Sequence, residues 1–139
     1  MRWLQLAIKP AKPFAFGVVD DGDRSVPVFG LPGNPVSSLV SYELLARPGL
    51  WALLGRPDPV RLPVGAVAGE PLRRRPDGKV HYARVVCRWS TERGAYEVRS
   101  AGGQGSHQLT AMASADALAV LPDGDGVAEG GPVDVLLLT

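Results

Sequence analysis

The sequence has little of what several common classes of protein require. Its 139 residues contain one cysteine, Cys87, which excludes an internal disulfide framework and a cysteine-based zinc cluster. No apolar run reaches the length of a transmembrane helix, and the start, Met1–Leu4, lacks the pattern of a signal peptide. The net charge is only +1 and aromatic residues make up 6% of the chain, which argues against nucleic acid or a membrane surface as a partner. We therefore predict a soluble protein that binds neither.

Glycine and proline are abundant, with 17 and 13 residues. This composition is typical of short strands connected by turns. Beyond residue 56 the apolar pattern predicts five strands and one short helix (His107–Ala113), the strands being Arg61–Val67, Lys79–Trp89, Ala95–Ser100, Ala117–Leu121 and Val133–Leu138. Such a set indicates a small β-barrel or sandwich. The run Arg73–Arg75 precedes a turn, and we interpret it as the solvated end of a strand.

The chain before this region has a different pattern. Two strands are predicted, Phe14–Val19 and Val26–Leu31, and a long helix follows from Pro35. Pro48 should kink or split this helix, because proline lacks a backbone donor and clashes with the preceding turn. Two strands and one helix are too few for an independent α/β domain, so we expect the chain to be the tail of a larger protein. The predicted fold class is α+β, with a partial α/β domain at residues 1–56 and a small β-barrel or sandwich at residues 57–139.

The most informative segment is Val28–Ser38, in which an apolar strand runs through a Pro-Gly turn into the predicted helix. Asn34 is a favoured N-cap, and Pro35 suits the first helical position. Gly33 would permit a tight or left-handed turn. The next amides, those of Val36, Ser37 and Ser38, would then face outward beside two hydroxyls and form an anion site at the helix start. An ordinary capped connection between strand and helix is an equally good interpretation.

A pair of cations precedes this segment in Lys9-Pro10-Ala11-Lys12-Pro13. The prolines should hold it close to polyproline II, so that Lys9 and Lys12 project from the same side. In isolation such a segment is more often a solvated linker. Its position directly before the strands that lead to Val28–Ser38 favours a functional role.

Two later segments carry donors that suit an oxyanion. Gly102–His107 contains three glycines and Ser106, which could cap the predicted short helix, although a flexible hairpin loop fits equally well. On the strand Lys79–Trp89, a period of two places Arg84 opposite the apolar face. Arg84 should be solvated unless loops approach it, in which case its guanidinium would bind an oxyanion well. Cys87, on the apolar face, is interpreted as core packing.

Four segments, taken in order, resemble the molybdopterin molybdenumtransferase family, which includes bacterial MoeA and the E domain of gephyrin: Lys9–Gly17, Phe29–Ser37, Tyr82–Arg84 and Gly103–His107. The resemblance implies an enzyme of molybdenum cofactor biosynthesis. Such an enzyme inserts molybdate into adenylylated molybdopterin and releases AMP, with magnesium. It also implies an elongated cytoplasmic homodimer of several domains.

The resemblance implies a role for each matching position. Residues 1–56 resemble the C-terminal part of the molybdopterin-binding α/β domain, and residues 57–139 resemble the complete C-terminal β-barrel domain. Five residues match an oxyanion cage for molybdate and are the predicted catalytic residues: Lys9, Lys12, Ser37, Arg84 and Ser106. The predicted cofactor-binding residues are those of the loop: Gly30, Pro32, Gly33, Asn34, Pro35 and Ser38. No metal ligand is predicted here, because the acidic residues for Mg²⁺ match positions outside this chain.

One departure and two alternatives accompany this interpretation. Ala11 stands where the family commonly has glycine. Activity of these residues alone is in doubt, so a non-catalytic module that binds molybdate, pterin or a partner is a competing hypothesis. A small barrel that binds single-stranded nucleic acid is disfavoured by the charge balance and the scattered tryptophans.

Overall fold

We describe residues 1–102 and 113–139 of a computed structural model, which divides into two compact units, Met1–Val60 and Arg61–Thr139. The first unit contains an antiparallel sheet in the order β1 (Arg2–Gln5), β3 (Pro13–Asp21) and β4 (Arg24–Gly30), with a short β2 (Ile8–Lys9) between them in sequence. Strands β3 and β4 confirm the two predicted strands. Strand β1 was not predicted, because its side chains are all exposed and show no apolar alternation.

The helix that follows β4 changes its winding just before Pro48. It consists of α1 (Pro35–Ser41), a π-helical turn (Tyr42–Ala46) and α2 (Arg47–Leu53). The π-turn closes through the Arg47 N–H, which bonds the carbonyl of Tyr42, and Pro48 then lies in the first turn of α2, where its missing donor does no harm. The predicted interruption of the helix near Pro48 is confirmed, and it consists of the wider π-helical turn Tyr42–Ala46.

The helix ends in a Schellman motif around Gly55. Gly55 has φ of 71°, and its N–H bonds the carbonyl of Ala52 at 2.9 Å. The next N–H, that of Arg56, bonds the carbonyl of Trp51 at 3.1 Å. This arrangement satisfies two of the last carbonyls of the helix and ends it, as the sequence Gly55-Arg56-Pro57 favours.

The segment around Ala11 is a turn, and the predicted polyproline II segment is wrong. The Lys9–Pro10 peptide bond is cis and Ala11 has φ of 79°, whereas polyproline II requires a negative φ throughout. The turn is closed by the N–H of Leu6, which bonds the carbonyl of Lys12 at 2.8 Å. A left-handed φ favours glycine, so Ala11 adopts a backbone conformation that is uncommon for a residue with a side chain.

The second unit is a closed five-stranded barrel. Its strands run in the order β7 (Val80–Ser90), β8 (Ala95–Ser100), β5 (Val64–Ala68), β11 (Pro132–Leu137) and β9 (Ala117–Leu121), and β9 pairs back to β7. The β5–β8 pair is parallel and the others are antiparallel. Closure of the ring confirms the barrel and excludes the sandwich. A two-stranded ribbon of β6 (Leu72–Arg73) and β10 (Gly126–Val127), too short to give a sequence pattern, accompanies it.

The barrel core is built from the inward face of each strand, as the period of two predicts. On β7 this face carries Val85 and Cys87, and Cys87 is buried as expected. Burial, and secondarily the charge of Asp116, raises the pKa of Cys87. Trp89 lies on the same face but is 59% exposed, where it makes an edge-to-face contact with Tyr96 at 5.3 Å between ring centroids.

The first barrel strand begins later than predicted. Strand β5 starts at Val64 instead of Arg61, because Pro63 has no N–H to give to a ladder. The Arg61 guanidinium instead bonds two carbonyls at the end of the last strand, β11, those of its final residue Leu137 at 2.7 Å and of the following Leu138 at 3.0 Å. The helix predicted over His107–Ala113 falls almost entirely outside the described residues. Within the described ranges, no helix is both long and apolar enough to cross a bilayer.

The interpretation of Arg73–Arg75 as a solvated strand end is wrong for its central residue. Arg73 and Arg75 are exposed, but the Arg74 side chain is only 1% exposed. Its Nη1 donates to three carbonyl oxygens, those of Lys79, Leu121 and Pro122, at 2.7 to 2.9 Å. Its Nη2 donates to Asp77 Oδ1 at 2.8 Å and to Asp123 Oδ1 at 3.0 Å. Arg74 therefore joins the loop before β7 to the loop after β9.

Hydrogen bonds hold the pKa values of both loop aspartates below their ordinary value of 3.8. The main cause for Asp77 is its hydrogen bond with His81, whose Nε2 lies 2.8 Å from Asp77 Oδ2. The main cause for Asp123 is the backbone N–H of Asp77, which donates to Asp123 Oδ1 at 3.0 Å. Both carboxylates are therefore ionised partners of Arg74 at neutral pH.

We expect Arg74→Ala to lower the free energy of unfolding by about 3 kcal/mol, because the hydrogen bonds of a buried guanidinium to three carbonyls and two carboxylates are lost together. Arg74→Lys should give an intermediate loss, since an ammonium lacks the planar fork. The matched control is Arg75→Ala, which removes an exposed arginine next to it and should change stability by less than about 0.5 kcal/mol. Urea unfolding of the three variants measures this. Equal losses for the Arg74→Ala and Arg75→Ala variants would contradict the assignment.

The barrel should also lose stability in acid through Asp77 and Asp123. Their folded pKa values lie below the unfolded ones, so the stabilisation is complete above pH 3.8 and disappears as the pH falls below that value. In the double variant Asp77→Asn/Asp123→Asn, stability should be lower at neutral pH and should fall less on acidification. Urea midpoints measured between about pH 5 and pH 2 test this, and parallel curves for variant and parent would refute it.

Candidate functional site

The start of α1 is capped as predicted, and this cap changes what the site can do. Asn34 is the N-cap, and its Oδ1 accepts from the N–H of Val36 at 3.0 Å and of Ser37 at 3.2 Å. The N–H of Ser38 bonds the Asn34 carbonyl at 2.8 Å. All three amides are therefore engaged within the chain, and the prediction that they form an open anion site is wrong. The capping bonds therefore use the backbone N–H groups that were expected to bind an anion at the helix start.

The glycines of this loop have different roles from the predicted ones. Gly33 does not adopt a left-handed φ, and no atom lies within 4 Å of where its Cβ would be. Gly30, at the end of β4, is required by packing, because a Cβ there would lie 2.8 Å from the Cβ of Ala15. Pro32 is half-buried and Pro35 is exposed. The side chains here that carry donors are those of Asn34, through its amide nitrogen, and of the half-buried Ser37 and Ser38.

Both lysines of the Ala11 turn are exposed. Lys9 and Lys12 stand on either side of the cis peptide and the left-handed residue, with Ala11 itself only 3% exposed. Within residues 1–102 and 113–139, neither ammonium group has a hydrogen bond or ion-pair partner. The turn therefore presents two hydrated cations to a ligand.

Arg84 is buried, and the expectation that it is solvated by default is wrong. It is 2% exposed on the outer face of β7. The register places it beside Leu118 of β9, which in turn pairs with Leu136 of β11, and both leucines are buried. Apolar neighbours lower the local dielectric constant, so this guanidinium attracts an anion more strongly than a solvated one does. The period of two in the sequence correctly predicted that Arg84 lies on the face of β7 opposite the core. It could not show which residues of the adjacent strand lie beside it.

The predicted site residues are distributed over both units. Lys9, Lys12 and Ser37 belong to the first unit and Arg84 to the second, whereas Ser106 lies outside the described residues. In the described ranges, no three His, Cys, Asp or Glu side chains converge in a way that could hold a metal ion. Residues 1–102 and 113–139 therefore do not fit a magnesium site.

One residue near Arg84 was missed by the sequence reasoning. Asp116 bonds the carbonyl of Val85 through its N–H at 3.2 Å and accepts the N–H of Cys87 through Oδ1 at 2.7 Å. It also pairs with Arg88. The partners of Asp116 are distant in the sequence: Cys87, for example, is 29 residues away. A local sequence pattern therefore could not indicate them.

Comparison with known proteins finds one family model that matches, the MoeA C-terminal region (domain IV), over residues 66–138. Among curated proteins, the chain is 36% identical over 123 residues to molybdopterin molybdenumtransferase 2 of Mycobacterium tuberculosis, covering 88% of this chain and 28% of that protein. It is 34% identical over 142 residues to molybdopterin molybdenumtransferase 1 of the same species, covering 99% and 33%. The chain thus spans about a third of the length of these relatives.

A solved structure has a similar fold. The crystal structure of the molybdopterin biosynthesis moeA protein from Pyrococcus horikoshii OT3 matches with a TM-score of 0.69 and 21% sequence identity. The match covers 96% of this chain and 31% of that one. At this identity the likeness shows the fold alone.

The cap at Asn34 can be tested by substitution. We expect Asn34→Ala to destabilise the first unit by about 1 kcal/mol, because the amides of Val36 and Ser37 lose their acceptor. Asn34→Asp should keep the cap. Hydrogen exchange at these two amides, followed by NMR, should speed up in the alanine variant and stay slow in the aspartate variant. Exchange that is already fast in the parent protein would show that these amides are open after all.

Proposed function

The chain belongs to the MoeA family of molybdopterin molybdenumtransferases, and we propose that it forms part of an enzyme of molybdenum cofactor biosynthesis. The proposed reaction inserts molybdate into adenylylated molybdopterin and releases AMP. The observation that carries the proposal is the buried guanidinium of Arg84, held at a motif position of the family among apolar neighbours. The two exposed lysines of the Ala11 turn support it.

We assign the two parts of the chain within that enzyme as follows. Residues 1–56 are the C-terminal part of the molybdopterin-binding α/β domain. Residues 57–139 are the C-terminal β-barrel domain, and the family model that matches residues 66–138 supports this assignment. The full enzyme is proposed to be a cytoplasmic homodimer whose magnesium ligands lie outside this chain.

The proposed mechanism is positioning with charge neutralisation. Molybdate is a tetrahedral dianion, so it needs several donors and positive charge around it. Lys9 and Lys12 supply charge, and the fork of Arg84 supplies two parallel donors with fixed directions. The hydroxyls of Ser37 and Ser106 complete the donor set. Donors fixed before the reaction stabilise the charge without reorganisation, and no nucleophile from the protein is required.

The loop Gly30–Ser38 takes part differently from our first expectation. Because Asn34 occupies the amides at the helix start, the loop offers side-chain hydroxyls instead of a backbone anion site. Asn34 and Pro35 then act by holding Ser37 and Ser38 in place. Gly30 and Gly33, with Pro32, keep the loop free of side chains that would crowd a pterin.

The test measures AMP release from adenylylated molybdopterin with Mg²⁺ and molybdate. Two proteins are compared: the chain itself, and a hybrid in which residues 1–139 replace the matching segment of the M. tuberculosis molybdopterin molybdenumtransferase 1, to which they are 34% identical. In the active protein, Lys12→Ala and Ser37→Ala should each reduce release by roughly 100-fold. Arg24→Ala, an exposed cation in the β3–β4 hairpin, is the matched control and should have no effect.

Each outcome decides between the hypotheses. Release by the hybrid but not by the chain supports a part of a larger enzyme, and release by both supports an autonomous one. A folded hybrid that binds molybdate but releases no AMP supports the alternative, a non-catalytic binding module. A folded hybrid that does neither overturns the transferase proposal. Release that survives Lys12→Ala and Ser37→Ala overturns the site assignment alone.

A further inference from the structure

Asp116 lies directly before β9 and joins three parts of the barrel. Its backbone N–H donates to the carbonyl of Val85 on β7 at 3.2 Å, and its carbonyl accepts the N–H of Leu138, just after β11, at 2.9 Å. Its carboxylate accepts the N–H of Cys87 through Oδ1 at 2.7 Å. The other oxygen, Oδ2, pairs with Arg88, whose side chain is mostly exposed.

These contacts fall where β7 changes partner. The strand pairs with β9 through His81–Val85 and with β8 through Val85–Ser90, so Val85 belongs to both ladders. Beyond Val85 the ladder to β9 stops. The carboxylate of Asp116 then takes the place of a strand carbonyl as the acceptor for Cys87, a residue that is buried and needs one.

Arg84 is the residue next to this junction. Its carbonyl accepts the N–H of Ala101 at 3.1 Å on the β8 side, while Asp116 holds the carbonyl of Val85 on the β9 side. The backbone that carries the buried guanidinium is therefore fixed at both edges. On the β9 side the bond to Val85 is a backbone bond as well, whereas the bond to the N–H of Cys87 depends on a side chain, the carboxylate of Asp116.

We propose that Asp116 is a positioning residue for Arg84: by bonding Val85 and Cys87 it fixes the strand segment that directs the guanidinium toward an oxyanion. The inference rests on the proposed function, in which Arg84 binds molybdate. Asp116 itself touches no substrate. Its carboxylate works as a hydrogen-bond acceptor, and its charge is balanced by Arg88.

Chemical modification of the arginines tests the positioning without any need for turnover. The full chain is treated with phenylglyoxal under native conditions, and modified arginines are identified by peptide mass mapping. In the parent protein the buried Arg84 should be protected while the exposed Arg99 reacts. Asp116→Ala should increase the modification of Arg84 by roughly tenfold, because the segment loses its acceptor. Asp116→Asn, which keeps a carbonyl oxygen for Cys87, should restore protection.

Two internal controls separate positioning from general destabilisation. Arg88→Ala removes the ion pair but keeps the bond to Cys87, so Arg84 should stay protected. Arg74, whose side chain is buried in another part of the same barrel, reports global opening. If Arg74 and Arg84 become reactive together in Asp116→Ala, or if Arg84 stays protected, the proposal is overturned. If the alanine variant is unfolded, Asp116→Ser takes its place.

A second measurement distinguishes this inference from the proposed function. The dissociation constant for molybdate, measured on the hybrid by equilibrium dialysis, should rise roughly tenfold in Asp116→Ala and stay near the parent value in Asp116→Asn. Arg84→Met should weaken molybdate binding at least as much. If Arg84→Met leaves binding unchanged while Asp116→Ala still exposes Arg84, the oxyanion role of Arg84 fails and the positioning stands. If Arg84→Met weakens binding and Asp116→Ala does not, the positioning inference fails alone.

Discussion

The barrel depends on one strand, β7, pairing along both of its edges. Its first half forms a ladder with β9 and its second half with β8, and the two ladders share Val85. The strand thus exchanges one partner for the other at Val85, and its pairing along both edges closes the barrel, because an open sheet leaves two unpaired edges. The exchange also leaves a gap on the β9 side, which the carboxylate of Asp116 fills. Closure, burial of the core and the placement of Arg84 are thus consequences of the same register.

Three arginines of this unit illustrate why chemistry cannot be read from residue type alone. Arg61 bonds carbonyls at the end of β11, Arg74 joins two loops, and Arg84 lies buried beside Leu118 of β9. Arg61 and Arg74 donate hydrogen bonds to backbone carbonyls within the barrel and thereby stabilise the fold. The guanidinium of Arg84 is instead buried on the outer face of β7 beside an apolar side chain, where a low dielectric constant strengthens its interaction with an anion. The difference between them is set by partners that are more than forty residues distant for Arg61 and Arg74.

Much of the fold was predictable because local rules agree with the global structure. The Asn34 cap, the effect of Pro48, the stop at Gly55 and the bounds of β8 and β9 follow from capping, proline geometry and alternation. The failures have two causes. Ala11 adopts a left-handed backbone conformation that residues other than glycine rarely adopt. Tertiary contacts determine the other features, which are the burial of Arg74 and of Arg84 and the junction at Asp116. Family resemblance identified the positions of the candidate site but not the environment of any of them.

The cap at Asn34 shifts the source of binding energy in the proposed site from the backbone to side chains. Lys9 and Lys12 are exposed, so each acts through a high dielectric constant, in which a charge pair at 4 Å is worth only about 1 kcal/mol. Their long stems must also be ordered when a ligand binds. Arg84 is buried beside Leu118, where the same charge interacts several times more strongly. We propose that the lysines contribute mainly positive charge and that Arg84 contributes donors with fixed directions. On this proposal, the binding of the anion depends less on the backbone of the loop Gly30–Ser38 than on the junction at Val85, which holds Arg84 in place.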